Sequence, residues 1–232
     1  MINRFIAIMM MAVVFLGYKG VMAKADWNGA YVGVQAQIME FDVDWKNPGT
    51  PEQDLDGVLA GVLAGYDVQF GNFVVGGIVD ANFGEVSDFK RDGNYIVESG
   101  EITSTGSFRL RAGVALSDNL LIYGTGGVAW VRMEQTQICT GPPAARFGFC
   151  FRNGPFNLSA TETLWGPTYG GGLEWKLGNV GWSDITLFAE YLQTEYGDQN
   201  FKMAPDANGN PLPDQIVQNM ERTFKVGFKF YF

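Results

Sequence analysis

Arg222 to Phe232, RTFKVGFKFYF, is the stretch whose reading decides the fold. Phe224, Val226, Phe228, Phe230 and Phe232 fall on one face, and Thr223, Lys225, Gly227, Lys229 and Tyr231 fall on the other. Strict period two is the pattern of a β-strand with unlike faces. A soluble half-buried strand shows it. So does a strand of a membrane barrel, whose apolar side meets lipid while the small or charged side points into the lumen.

Working outward, the same alternation recurs along the chain. Ala30 to Ile38 puts Val32, Val34 and Ile38 opposite Tyr31, Gly33, Gln35 and Gln37. Residues 57–68, 73–83, 102–115, 120–133, 163–177 and 184–197 repeat the pattern, which with the closing stretch predicts eight strands. Short turns at 69–72, 117–119 and 178–183 alternate with long polar or Pro-bearing segments at 41–56, 85–101, 135–162 and 198–219. An even number of antiparallel strands with alternating short turns and long loops predicts an all-β, eight-stranded up-and-down transmembrane barrel with four extracellular loops. A lipocalin-like barrel also has eight strands. It would bury its apolar side chains, whereas here the large apolar set shares a face free of charge. Trp27, Phe70, Phe73, Trp175, Trp182 and Phe232 are expected as one aromatic girdle, and Phe41, Trp45, Phe83, Trp165 and Tyr196 as the other.

Residues 1–25 combine Arg4, an apolar run from Phe5 to Gly17 and an Ala23-Lys24-Ala25 site, the three parts of a cleaved signal peptide. The run falls short of the roughly 18 apolar residues a spanning helix needs. The barrel is therefore expected to occupy 26–232. Loss of Arg4, Lys19 and Lys24 with the leader takes the formal charge from −9 to −12, which argues against nucleic-acid partners. Cys139 and Cys150 share one Pro-rich segment; in an oxidising compartment a short-range disulfide is expected. A metal or redox pair would want a CxxC spacing or a histidine, and the chain has neither.

Several segments resemble the small outer-membrane β-barrel family of alphaproteobacteria, porin-like surface proteins of Gram-negative cells, some of them called hemin-binding. The matching pieces are Trp27-Asn28-Gly29-Ala30-Tyr31-Val32-Gly33, Arg109-Leu110-Arg111-Ala112-Gly113 and Tyr123-Gly124-Thr125-Gly126-Gly127-Val128-Ala129. Gly170-Gly171-Gly172-Leu173-Glu174-Trp175, Ala189-Glu190-Tyr191 and the terminal Phe complete them. The resemblance implies an outer-membrane location with lipid and lipopolysaccharide as surroundings. It also implies that Phe228, Phe230 and Phe232 are read by the barrel-assembly machinery. The cysteine-bearing third loop departs from the family's pattern.

Parity places Asp67, Asp80, Arg109, Arg111, Arg132, Glu174, Glu190, Lys225 and Lys229 in the lumen. Unpaired buried ions are costly, and eight strands leave an interior just wide enough for side chains to fill it. We therefore expect a plugging charge network, with Asp80 on Arg109 or Arg111 and Glu190 on Lys225. The absence of histidine removes the commonest general base and the usual zinc and heme ligand. No enzyme activity and no cofactor or metal are expected. The acid pairs Asp42/Asp44 and Asp54/Asp56 read as solvated, with at most a weak divalent-cation contact. The favoured role is structural support and surface display. The alternatives are a small-solute porin and a binder of hemin or a host factor through loop aromatics such as Phe147, Phe149 and Phe151.

Overall fold

The computed structural model describes residues 26–45, 53–92, 96–139, 156–201 and 215–232, so the leader reading lies outside it. Eight strands form: β1 Gly29–Trp45, β2 Gln53–Phe70, β3 Phe73–Asp92, β4 Ile96–Ser117, β5 Leu120–Cys139, β6 Phe156–Val180, β7 Ser183–Phe201 and β8 Gln215–Tyr231. Each pairs antiparallel with its sequence neighbour, and β1 pairs with β8, so the sheet closes. The closing seam runs from Tyr31↔Tyr231 through Val34↔Phe228 to Trp45↔Val217. Closure leaves no edge strand, which hydrocarbon requires because it offers no partner to open backbone groups. Three tight turns close one end, and in two of them Gly71 and Gly181 take φ of 63° and 65°, a region that favours glycine.

The faces follow from the period of two. Val32, Val34 and Ile38 point outward at 44–53% exposure, while Tyr31, Gln35, Gln37 and Met39 are buried within. Outward apolar side chains such as Val62, Phe83, Leu110 and Val128 form a band around the barrel. A membrane strand needs about 9–11 residues, and these strands have 17 to 25. Even the shortest rises roughly 40 Å along a tilted axis, against an apolar band about 25 Å tall.

The surplus length corrects the strand ends. The ladder enters each of the four segments expected as loops, taking residues 41–45 and 53–56, 85–92 and 96–101, 135–139 and 156–162, and 198–201 and 215–219. Polarity there reports contact with water and not loss of pairing. Above the band the dressing of the sheet inverts. Met39, Phe41, Leu59, Ile102, Val131 and Met133 turn inward into a fully buried apolar cluster, while Glu85, Ser87 and Arg132 face out.

A bulge between Ile102 and Ser104 slips the register by one residue. Ile102 would otherwise share the outer face with Phe108 and Leu110; the slip buries it completely. The aromatic girdles are corrected at both ends, above the band by this inversion and at the turn end by the burial of Trp27. Phe70, Phe73, Trp182 and Phe232 face out at the turn end, and Phe83 and Trp165 at the other. Trp27, Phe41 and Tyr196 are instead 0–2% exposed inside the barrel.

Candidate functional site

The lumen gathers the charged residues, which come from β2, β3, β4, β6, β7 and β8. At its centre the Arg109 guanidinium on β4 donates to Asp80 Oδ2 on β3 at 2.9 Å and to Glu190 Oε2 on β7 at 2.6 Å. Lys225 Nζ on β8 donates to Asp80 Oδ1 at 2.6 Å, and Ser107 Oγ donates to Asp80 Oδ2 at 2.5 Å. Nearer the tight turns, Arg111 donates to Asp67 on β2 and, at 2.7 Å, to Glu174 on β6. Lys229 Nζ reaches the same Glu174 at 2.6 Å. Thr186 Oγ1 and Tyr231 OH complete the shell of Glu174 at 2.7 and 2.9 Å.

Asp67, Asp80, Glu174 and Glu190 thus face Arg109, Arg111, Lys225 and Lys229, four charges against four, all at most 3% exposed. Both clusters cross the lumen instead of following the ladder. Glu190 and Lys225 are opposite each other in register. Their expected pairing is nevertheless corrected: Glu190 is held by Arg109 and Lys225 by Asp80. Outward-pointing neighbours on adjacent strands can only meet side by side, but inward-pointing long side chains also meet across the axis.

Aromatic rings complete the charged layer. Lys229 Nζ lies 4.8 Å from the ring centres of Tyr31 and Phe188 and 5.5 Å from that of Tyr123, and Arg111 lies over the two tyrosines. Desolvated cation–π contacts of this kind are worth about 2 kcal/mol. Space is short enough to dictate glycine: a Cβ on Gly76 would sit 2.0 Å from Asp67 Oδ1, and one on Gly65 would sit 2.3 Å from the Tyr31 ring.

Toward the open end, the amides of Gln35 and Asn82 carry the network from Asp80 to Thr105 and Gln37. It ends at Glu221, which accepts from Tyr196 OH at 2.5 Å, Thr223 Oγ1 at 2.6 Å and Gln37 Nε2 at 3.2 Å. Beside it lies a cavity of ≈ 10 Å³, about room for one water. The sequence reading omitted Glu221, whose inward parity with Lys225 was the available signal.

Arg132 is a second correction. It sits on the outer face of β5, because the inward positions there are Val131 and Met133. Cys139 is the last residue of β5, and Cys150 lies outside the described residues, as do Phe147, Phe149 and Phe151.

A closed barrel with an apolar exterior and an ionic interior is the frame for the comparisons with known proteins. The family description "Outer membrane protein beta-barrel domain" matches residues 9–232. The chain belongs to that family. The "31 kDa outer-membrane immunogenic protein" of Brucella melitensis is 28% identical over 221 residues, 89% of this chain and 84% of that protein. The "25 kDa outer-membrane immunogenic protein" of Brucella abortus is 27% identical over 214 residues, 92% and 78% of the two chains. Among solved structures, Neisserial surface protein A aligns with a TM-score of 0.45 at 12% identity, covering 88% of this chain and 99% of that one. Ail of Yersinia pestis aligns with a TM-score of 0.42 at 12% identity, covering 87% and 99%. This outer-membrane barrel therefore resides in the outer membrane, as its family and relatives do.

Proposed function

We propose that this outer-membrane barrel is a non-conducting, non-enzymatic envelope protein that supports the membrane and displays the connections at its open end to the outside. The observation that carries the reading is the filled lumen, in which the balanced ionic layer is interleaved with buried Tyr31, Leu63, Ile78, Tyr123 and Phe188 and capped toward the long connections by an apolar cluster. Ions crossing it would have to displace charges already paired and pass apolar rings of buried side chains. Reconstitution into a planar bilayer tests this. No current above baseline supports a sealed lumen; steady single-channel conductance overturns it.

The long connections point outward in this reading, because barrels of this class keep short turns in the periplasm. Residues 1–25 act as the cleaved leader, Cys139 and Cys150 form a disulfide within the third loop, and lipid with lipopolysaccharide surrounds the band. The aromatic strand bearing Phe228, Phe230 and Phe232 is the segment recognised by the assembly machinery. Deletion of Phe232 should lower membrane yield more than Phe228→Leu does, and equal yields would count against recognition of the terminal ring.

A further inference from the structure

On the outer face of β4, β5 and β6, three rings stack in a row. Phe108 and Trp130 have centroids 5.5 Å apart, and Trp130 and Trp165 are again 5.5 Å apart. Phe108 and Trp165 remain 53% and 55% exposed. Below them toward the tight turns, Leu110, Val128 and Tyr169 are exposed on the same face, and beyond these Gly124, Gly126 and Gly171 leave a shallow stretch of wall. Directly above, Arg132 is exposed, opposite Ser104 on one side and Thr163 on the other. It has no hydrogen bond, ion pair or ring contact among the described residues.

Charge singles out this position. The outward side chains at the upper margin of the band are mostly acids, among them Glu40, Asp56, Glu85, Glu134 and Glu195. Arg222 lies opposite Glu40 in the ladder, whereas the residues opposite Arg132 are the hydroxyls Ser104 and Thr163, with Glu134 and its partner Glu101 one step above. An anion at headgroup height meets repulsion around most of this rim and an exposed guanidinium here, next to the rings. Guanidinium binds phosphate bidentately, and rings at the interface with hydrocarbon below suit a molecule that has its charge and its chains in that order.

We propose that Arg132 and the Phe108, Trp130 and Trp165 stack form a docking site for one phosphorylated lipid of the outer leaflet, of the lipid A class. Arg132 holds a headgroup phosphate, and the rings with the apolar face of Leu110 and Val128 beneath them carry the acyl chains. The inference rests on the proposed orientation, with the long connections outside.

The test is native mass spectrometry of the folded barrel in detergent, titrated with bisphosphorylated lipid A, with the same lipid after phosphate removal, and with inorganic phosphate. Heat-modifiable gel migration checks that each variant is folded. Arg132→Gln should weaken lipid A binding about tenfold, near 1.4 kcal/mol and the size of one charge-assisted contact. Dephosphorylated lipid on the unaltered protein should show the same loss, and Trp165→Leu should weaken both lipids. Trp182→Leu, at the opposite rim, should change neither. Equal binding of the two lipids to the unaltered protein, full affinity in Arg132→Gln, or a second chain in place of lipid would each overturn the site. Lipid results leave the sealed lumen untouched and conductance leaves the site untouched, so the two readings fail separately.

Discussion

The membrane band and the part of the barrel above it are built from the same eight strands with opposite clothing. Within the band, Val34, Val62 and Leu110 face out while Asp80, Arg109 and Glu190 face in; above it, Glu85 and Arg132 face out while Phe41, Leu59 and Met133 face in. The backbone is indifferent to this change, because its ladder is satisfied by neighbours in both places. Only the surrounding solvent differs. Hydrocarbon selects an apolar exterior and leaves the interior to whatever can pair, whereas water selects an apolar interior. One barrel thus carries two kinds of core, an ionic one and a hydrophobic one, stacked on a common axis.

The two cores should fail differently. Arg109→Met removes the base shared by Asp80 and Glu190, and stranding a buried charge costs about 3–5 kcal/mol; unfolding in denaturant from detergent micelles should show the largest loss of the set. Double replacement of a pair by apolar residues should cost less than the single change, and a double that is worse would sink the pairing argument. Exterior lysines break the comparison more directly. Val34→Lys, inside the band, should destabilise by about 2–4 kcal/mol in bilayers, whereas Ser87→Lys, above it, should stay within about 0.5 kcal/mol. Equal costs would mean that the boundary drawn between the two regions is wrong. Smallest is Ile102→Val in the upper core, where loss of one buried methylene should cost about 0.5–1.5 kcal/mol by the same unfolding measurement.

The fold was legible because alternation survives in every membrane strand, and the closing partners Val32 and Val34 follow once β8 must pair with β1. The Asp80–Arg109 contact was within reach of parity too, since β3 and β4 are adjacent. Three things were not. Strand ends disappeared because a ladder above the membrane is as polar outside as a loop. The choice of Arg109 over Lys225 as partner for Glu190 depends on reach across the lumen, a quantity set by barrel diameter and not by any local pattern. Arg132 was read as an inward charge, yet its neighbours Val131 and Met133 are the buried ones, and an apolar lumen was not anticipated at that height.

The seam between β1 and β8 has one further consequence. Phe232 N donates to Ala30 O at 2.9 Å, so β1 and the residue that follows β8 meet as ordinary ladder neighbours. Geometrically the barrel is a ring in which no strand is first. Joining Phe232 to the residues just before β1 through a short linker, and reopening the chain between Gly71 and Asn72, would keep the strand pairings while moving Phe232 into the interior of the polypeptide. Such a circular permutant separates the aromatic strand as a stave of the wall from the proposed recognition of the same strand by the assembly machinery.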